Sequence, residues 1–259
     1  MENTRILKSA DKLLELIEVL ANSSAPLSAS EISTALNMNR TTAYGLINTL
    51  LAHEYIEKEI RTNKFTISAK LFELGSKFRF KLPFITPASN AAEKIVSKWH
   101  LSVHIAIYQN IGKIIFVHMH LPVDAVGIPV GYVAPAYCNA AGKILMANLP
   151  QDVLDFHLDK MVFEKRTQHT FTDKELFKKE LMQCRMNGYA QDKEEFLDGL
   201  SCIAAPIYDF SGKAVASISI SGPTASLNEH EKELIEEVIA AAKKVSTEIG
   251  YSWGTKRIN

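Results

Sequence analysis

The sequence predicts an α+β fold in two parts: a winged helix-turn-helix, followed by a larger domain with a mainly antiparallel sheet. Three observations predict it. Residues 28–56 read as two short helices separated by a tight turn, and two short strands follow directly. Beyond residue 87, helical segments are mixed with alternating strand patterns. With 259 residues, 47% of them hydrophobic and 22% charged, the chain is long enough for two domains with separate cores.

The first helix of the predicted helix-turn-helix begins at a capping box. Ser28 followed by Glu31 is the pairing in which each side chain bonds the other residue's backbone N–H. A turn ends this helix, and Asn39 is suited to cap the next one, which begins near Arg40. An amphipathic helix over residues 6–21 packs against both. The predicted apolar faces of the two short helices consist of Ile32, Ala35, Leu36, Ala43, Leu46, Ile47, Leu50 and Leu51.

The second helix of this motif carries hydrogen-bond donors in its first turns, as a helix inserted into a DNA major groove requires. These residues are Arg40, Thr41, Thr42 and Tyr44. A hairpin follows, with predicted strands at 55–60 and 64–67. Its turn at 61–63 brings Arg61 and Lys64 near a phosphate backbone or a minor groove. An ordinary helical hairpin and a solvated β-hairpin are the alternatives at this point.

Charge does not by itself draw this chain to nucleic acid. The formal net charge is zero, and residues 1–68 carry seven Lys and Arg against eight Asp and Glu. Tight non-specific binding by a monomer is therefore not expected, because that mode depends on phosphate neutralisation. Specific binding stays compatible with this charge if Arg40, Arg61 and Lys64 share one face and a dimer doubles the contacts.

The predicted domain boundaries are 1–68 for the winged helix-turn-helix, 69–84 for a linker helix and 85–251 for the C-terminal domain. The connector at 69–82 is too apolar for a free linker, so we expect it to pack against a second copy, with burial in the same chain as the alternative. Helices are predicted at 88–99, 140–148, 151–160, 173–187 and 228–249. Strands are predicted at 102–109, 114–121, 201–209 and 213–221. Segment 122–136 is predicted to be irregular and the tail from Ser252 loose.

Several classes of function find little support in the residues. The N-terminal segment has scattered charges, unlike a signal peptide, and the longest apolar run is too short to cross a bilayer. Cys138, Cys184 and Cys202 are too few and too scattered for a disulfide framework or a zinc module, which favours a reducing cytoplasm. No cofactor is expected.

The histidines and cysteines permit two further chemistries. His118 and His120 lie on one predicted strand face, with His104 on the adjacent strand, which permits a metal site. Polar residues on an exposed or pocket-lining strand face are the preferred interpretation. A nucleophile built on Cys202 or Cys138 lacks any surrounding hydrolase motif, so an enzyme is not expected.

Two later segments make the prediction specific. They are YCNAAGK at 137–143 and GYAQDKEEFLDGLSCIAAPIYD at 188–209, the latter followed by VASISISGP at 215–223. Together with the winged helix-turn-helix, they resemble the IclR family of bacterial transcription regulators, over about residues 7 to 250. The first segment departs from the family pattern, because Tyr137 and Asn139 stand where a His and a Ser or Thr are usual.

The resemblance implies a winged DNA-binding domain joined by a helix to a GAF-like effector domain. It also implies dimers, often paired into tetramers, that bind a promoter palindrome and respond to small carboxylic or aromatic acids. By family correspondence, the ligand-contacting positions are Ala140, Ala141, Asp192, Cys202, Ser219 and Ser221.

The residues themselves suit an anionic ligand. Asn139 can cap a helix whose first N–H groups, at Ala140 and Ala141, then remain available to a carboxylate. Ser219 and Ser221 are two apart on one strand, so both hydroxyls face the same way.

The predicted function is a DNA-binding regulator, a repressor rather than an activator, that controls a catabolic operon in response to a small acid. The alternatives are a regulator whose C-terminal domain only oligomerises, and an enzyme with a DNA-binding appendage.

Overall fold

A computed structural model describes residues 6–123, 125 and 127–253 of the chain. The chain divides into two compact units, with the boundary between Lys81 and Leu82. This boundary falls inside the predicted connector, so the three-part division of the sequence stays a prediction. Among the described helices, none combines the length and apolar character needed to cross a membrane.

The N-terminal unit contains three helices, a short hairpin and a further helix within its described residues. Their bounds are α1 (Lys8–Asn22), α2 (Ala29–Ala35), α3 (Arg40–Ala52), β1 (Ile56–Lys58), β2 (Phe65–Ile67) and α4 (Ala69–Phe80). The capping box is confirmed: Ser28 Oγ accepts from the Glu31 N–H at 3.2 Å, and Glu31 Oε2 accepts from the Ser28 N–H at 2.7 Å. Asn39 Oδ1 caps α3 by accepting from the Thr42 N–H at 2.8 Å.

The core of this unit joins one face each of α1, α2 and α3 to the hairpin. Its buried apolar residues are Leu16, Leu20, Ala29, Ile32, Leu36, Ile47, Leu50, Ile56 and Phe65. Ala35, predicted in the apolar face, is exposed, because it lies at the end of α2 and points away from this cluster. The hairpin strands are shorter than predicted, at three residues each, since Glu59 and Lys64 close a wider turn in which Asn63 adopts φ +57°.

The connector is helical, as the sequence predicts, yet no residue of α4 is buried. Phe72 is 79% exposed and Phe80 is 84% exposed. Burial of the connector within its own chain is therefore wrong as an explanation of its apolar composition.

The C-terminal unit is built on one antiparallel sheet with helices on both faces. The elements are α5 (Ile85–Trp99), β3 (Ser102–Asn110), β4 (Lys113–His120), β5 (Val133–Pro135), α6 (Ala140–Ala147), α7 (Gln151–Lys160), α8 (Lys174–Asn187), β6 (Ala190–Lys193), β7 (Leu200–Tyr208), β8 (Ala214–Pro223), α9 (Thr224–Glu229) and α10 (Glu231–Glu248). A 3-10 turn, Ala136–Cys138, precedes α6. The strand order is β5-β4-β3-β8-β7-β6, with antiparallel pairing throughout the described sheet, so the predicted mainly antiparallel sheet is confirmed.

Strand alternation divides the core of this unit in two. Ile203, Ala205 and Ile207 point to the face covered by α5 and α10. Ala204 and Cys202 point to the opposite face, where α6, α7 and α8 pack. The second face holds the cavity described below.

The C-terminal unit differs from the predicted elements at α5, at β5 and β6, and at the last helix. Helix α5 begins before Pro87, because a proline in the first turn replaces an N–H that has no helical partner. Strands β5 and β6 were not predicted. Strand β6 contains Gln191, Asp192 and Lys193, which are poor strand formers. Its conformation is decided by its pairing to β7. The last predicted helix is divided at His230.

The tail also differs from the prediction. Trp253 stacks edge-on against Tyr251, with ring centroids 4.6 Å apart, and its Nε1–H donates to Thr247 Oγ1 at 3.1 Å. The chain is therefore packed as far as residue 253, and residues 254–259 lie outside the described part of the chain.

Candidate effector and DNA-binding sites

Sheet register assembles a row of polar residues on the α6 face. Asp192 on β6 stands opposite Cys202 on β7, and Cys202 stands opposite Ser221 on β8. Two residues along β8, Ser219 stands opposite His104 on β3. Because directly paired residues share a face of the sheet, these five side chains form one continuous surface.

This polar row lines a cavity of about 510 Å³. The start of α6, at Ala140 and Ala141, lies along the same cavity. The structure thus brings together all six positions predicted for the effector. Much of the remaining wall is apolar and includes Leu101, Phe116, Ile128, Ala134, Phe196, Leu197 and Leu200. The described lining contains no Lys or Arg, so an anion entering the cavity would depend on backbone N–H groups and hydroxyls.

The start of α6 is held rigidly. Asn139 Oδ1 accepts from the Gly142 N–H at 2.7 Å, and its Nδ2 donates to the Pro135 carbonyl. A Cβ at position 142 would lie 2.3 Å from Ala136 Cα, so only glycine fits there. The cap uses the Gly142 N–H and leaves those of Ala140 and Ala141 for other partners. The positive end of a helix dipole with open N–H groups attracts anions.

Asp192 is almost completely buried at one end of the polar row. Its Oδ1 accepts from the Glu195 N–H at 2.7 Å, while Oδ2 has no hydrogen-bond partner among the described residues. Burial, followed by the negative charge of Glu195, raises the pKa of Asp192 to about 7. At neutral pH this carboxyl can therefore act either as a donor or as an acceptor.

A buried cation, Lys143, lies behind the cavity. It is part of the segment at 137–143, but no role was predicted for it from the sequence. Lys143 is 1% exposed, and its Nζ donates to Glu195 Oε1 at 2.7 Å and to Glu180 Oε1 at 2.9 Å. Burial would lower the pKa of Lys143, but the carboxylates of Glu195 and Glu180 outweigh it and raise that pKa. The signal was a lysine in the middle of an otherwise apolar helix, which is seldom buried without a charged partner.

His104 lines the cavity as well; the sequence placed it on an exposed or pocket-lining strand face but not among the effector positions. Its Nδ1 lies 3.3 Å from Ser221 Oγ, and its carbonyl accepts from Ser219 Oγ at 3.3 Å. Burial, followed by the charge of His118, lowers the pKa of His104 to about 4, so the imidazole is neutral at physiological pH. Its signal was its position two strands from Cys202, which becomes visible only once the strand order is known.

The register separates the three histidines of the suggested metal site. His104 pairs with Met119, whereas His118 pairs with Ile105 and lies at a bulge in the β3–β4 ladder. Within the described residues, no group of three or more His, Cys, Asp or Glu side chains is arranged to hold a metal ion.

The cysteines of the suggested nucleophile are held in the thiol form. Burial raises the pKa of Cys138 to about 12, and burial also raises the pKa of Cys202 well above its usual value. Since the thiolate is the nucleophile, neither environment activates a cysteine.

In the N-terminal unit, the residues predicted to meet DNA bases are all exposed on the first turns of α3. They are Arg40, Thr41, Thr42 and Tyr44. The Arg40 guanidinium donates to Ser30 Oγ at 2.9 Å, which holds it beside the start of α2. On the wing, Arg61 is exposed at the turn, whereas Lys64 is half-buried with its Nζ 3.4 Å from Glu31 Oε2. The two predicted wing cations are therefore not equivalent, since Lys64 already has an anionic partner.

A helix-turn-helix unit joined to a domain with a ligand-sized cavity defines a ligand-responsive transcription regulator. Residues 9–59 match the IclR helix-turn-helix domain, and residues 81–247 match the bacterial transcriptional regulator IclR C-terminal domain. The chain therefore belongs to the IclR family.

Similar proteins are named as transcription regulators. The HTH-type transcriptional regulator KdgR of Escherichia coli is 27% identical over 262 residues, which is 97% of this chain and 98% of KdgR. The HTH-type transcriptional repressor AllR of Salmonella typhimurium is 27% identical over 94% of this chain and 90% of its own. An IclR homologue from Microbacterium hydrocarbonoxydans, crystallised with 4-hydroxybenzoate, shares the fold with a TM-score of 0.80, at 19% identity over 93% of this chain and 98% of its own.

Proposed function

We propose that this chain is a repressor that binds an operator through α3 and the wing, and that a small organic acid in the C-terminal cavity controls that binding. The observation that carries the proposal is the convergence of Ala140, Ala141, Asp192, Cys202, Ser219 and Ser221 on one cavity. The regulated genes would be a catabolic operon, and the chain would act in the bacterial cytoplasm.

The cavity wall supports a carboxylic acid with a compact apolar body. The open N–H groups at Ala140 and Ala141 suit the carboxylate, and the hydroxyls of Ser219 and Ser221 add further hydrogen-bonding groups. The side chains of Phe116 and the other apolar lining residues suit the body of the acid. The similar protein from Microbacterium hydrocarbonoxydans was crystallised with 4-hydroxybenzoate, an acid of this type.

On the DNA side, the exposure of Arg40, Thr41, Thr42 and Tyr44 supports contact with base edges or phosphates. Arg61 at the wing turn suits a backbone contact, and Lys64 would contribute only by leaving Glu31. Similarity to AllR, named a repressor, supports repression over activation.

A dimer, or a tetramer made from dimers, would explain the apolar surface of α4. Phe72 and Phe80 are exposed on a helix that has no buried residue within its own chain. Covering such side chains with a second copy removes apolar area from water, at roughly 25 cal/mol per Å². Two copies would also double the number of DNA contacts, which matters because residues 1–68 carry seven Lys and Arg against eight Asp and Glu.

The alternative of a C-terminal domain that only oligomerises is less well supported, because a purely structural domain has no need of a cavity with polar residues converging on it. An enzyme with a DNA-binding appendage is less well supported too. The two thiols considered as its nucleophile, those of Cys138 and Cys202, have pKa values that burial raises.

The test is the double variant Ser219→Ala with Ser221→Ala, titrated calorimetrically with a panel of small carboxylic acids. We expect acids that bind the wild type to bind the variant at least about tenfold more weakly, since two buried hydroxyl groups are lost from the cavity wall. Affinity for a DNA fragment from upstream of the gene should be nearly unchanged. Ser97→Ala, on the exposed face of α5, is the matched control. Unchanged acid affinity in the double variant would remove both serines from the effector site.

A further inference from the structure

Two buried polar atoms at the cavity have no hydrogen-bond partner among the described residues. They are Asp192 Oδ2 and His104 Nε2, and both residues line the cavity. Buried polar atoms in folded proteins are nearly always paired, so an unpaired one at a cavity wall indicates a group that a ligand supplies. Asp192 belongs to the effector positions already proposed, whereas His104 does not.

The two atoms serve different parts of a ligand. Asp192 is on β6 and His104 is on β3, with β7 and β8 between them. Neighbouring strands lie about 4.8 Å apart, so the two Cα positions are separated by about 14 Å across the sheet. One ligand group cannot satisfy both atoms, and His104 therefore requires a partner of its own.

The imidazole of His104 is held in a defined orientation. Its Nδ1 lies 3.3 Å from Ser221 Oγ, and its ring meets the Phe116 ring edge-on with centroids 5.6 Å apart. A Cβ at Gly127 would lie 3.3 Å from His104 Nε2, so a larger residue at position 127 would press against that nitrogen. Only 3% of the residue is exposed, so bulk water does not serve as its partner.

The chemistry of the missing partner follows from the two tautomers. If Nδ1–H donates to Ser221, then Nε2 is an acceptor that needs a donor. If Ser221 donates to Nδ1, then Nε2–H is a donor that needs an acceptor. A hydroxyl group satisfies either tautomer, whereas a carboxylate or an alkyl group has no proton to donate to the first. Because the imidazole is neutral, it also has no net charge with which to hold a carboxylate.

We propose that His104 is a specificity residue that binds a hydroxyl group of the effector, and hence that the effector is a hydroxylated carboxylic acid. This inference rests on the proposed effector site. It adds a contact to the hydroxyl group of the effector to the proposed contact with its carboxylate. The carboxylate lies at the start of α6, between Ala140 and Ala141, and the hydroxyl lies at the β3 side of the sheet against His104 Nε2.

The experiment compares acids that differ by one hydroxyl, using calorimetric titration of the full-length protein. The pairs are 4-hydroxybenzoate with benzoate, 3-hydroxybutyrate with butyrate, and lactate with propionate. At least one hydroxylated member should bind the wild type about tenfold more tightly than its partner, as expected for a buried hydrogen bond.

Two variants separate the role of Nε2 from that of Nδ1. His104→Asn keeps an amide near the Nδ1 position for Ser221 but has no atom at Nε2, so it should bind both members of a pair equally. Its affinity for the unhydroxylated acid should stay within about twofold of the wild type, because the carboxylate contacts remain. His104→Gln reaches toward the Nε2 position and should retain part of the preference.

The failures can be told apart. If wild type binds acids without preferring the hydroxylated member, or if His104→Asn keeps the preference, the role of His104 is wrong while the effector site stands. The same conclusion follows if His104→Asn lowers the affinity for the hydroxylated and the unhydroxylated acid by the same factor, because the preference is then unchanged. If neither these acids nor the wider acid panel binds the wild type, the proposed effector site fails and this inference fails with it.

Discussion

The buried imidazole of His104 makes the stability of the C-terminal unit depend on pH. In the unfolded chain a histidine has a pKa of about 6.5. In the folded protein, burial followed by the charge of His118 lowers the pKa of His104 to about 4. Between these two values the unfolded chain takes up a proton that the folded protein excludes. Stability from this residue is therefore fully present above pH 6.5 and is lost as the pH falls toward 4.

The magnitude follows from the two pKa values. Their difference of about 2.5 corresponds to about 3.4 kcal/mol over the whole range, at 1.36 kcal/mol per pKa unit. Between pH 7 and pH 5, the same linkage gives a loss of about 2 kcal/mol. Asp192 acts in the opposite direction: burial, then Glu195, raises its pKa to about 7, so its folded form takes up a proton as the pH falls. The change in the free energy of unfolding of the wild type with pH therefore combines both residues and does not measure His104 alone.

The comparison of wild type with His104→Gln isolates the histidine, because Asp192 is present in both. Both tryptophans of the chain, Trp99 and Trp253, lie in the C-terminal unit, so their fluorescence reports its unfolding separately from the N-terminal unit. Urea unfolding is measured at pH 7 and at pH 5. The free energy of unfolding of wild type should fall by about 2 kcal/mol more than that of the variant.

A matched control is His169→Gln, since His169 is an exposed histidine of the same unit. This variant shows the effect of losing a histidine at an exposed position. If wild type and His104→Gln show parallel losses between pH 7 and pH 5, the imidazole is not excluded from protonation and its burial has been misread. The neutral ring assumed for effector recognition would then be wrong as well.

Three further predictions concern DNA binding, folding and assembly. Arg40→Ala should weaken operator binding by about 1–3 kcal/mol in fluorescence anisotropy without changing thermal stability; full operator affinity would remove Arg40 from the interface. Lys143→Met should lower the free energy of unfolding of the C-terminal unit by about 3–5 kcal/mol in urea, because it leaves Glu195 buried without its cation. A loss under about 1 kcal/mol would contradict this. Phe72→Ser with Phe80→Ser should shift sedimentation toward monomer, and an unchanged oligomer would exclude α4 from the interface.

Local sequence determined the N-terminal unit well. The capping box at Ser28 and the Asn39 cap depend on residues three positions apart, and the apolar faces of α2 and α3 follow from helical spacing. Helical spacing also predicted that the hydrogen-bond donors at the start of α3 are exposed. The wing was less accurate, because the length of a hairpin strand depends on where cross-strand pairing stops.

The candidate effector site was predicted in part. Ser219 and Ser221 were placed on one face by strand alternation, and the cap at Asn139 followed from residue type. Their grouping with Asp192 and Cys202 came from family resemblance, since no local rule links residues on β6, β7 and β8. His104 was predicted on an exposed or pocket-lining face, but its place beside Ser219 and Ser221 was not, because β3 becomes the neighbour of β8 only when distant segments pair.

The sequence by itself determined which segments are helical, where they are capped and which faces are apolar, because these depend on interactions within a few residues. Only the tertiary structure decided strand order, the buried partners of Lys143 and the neutral state of His104. These depend on burial and on charges from residues far away in the chain. A pKa or an ion pair is set by all the groups around it, whereas a helix cap is set by its neighbours in sequence.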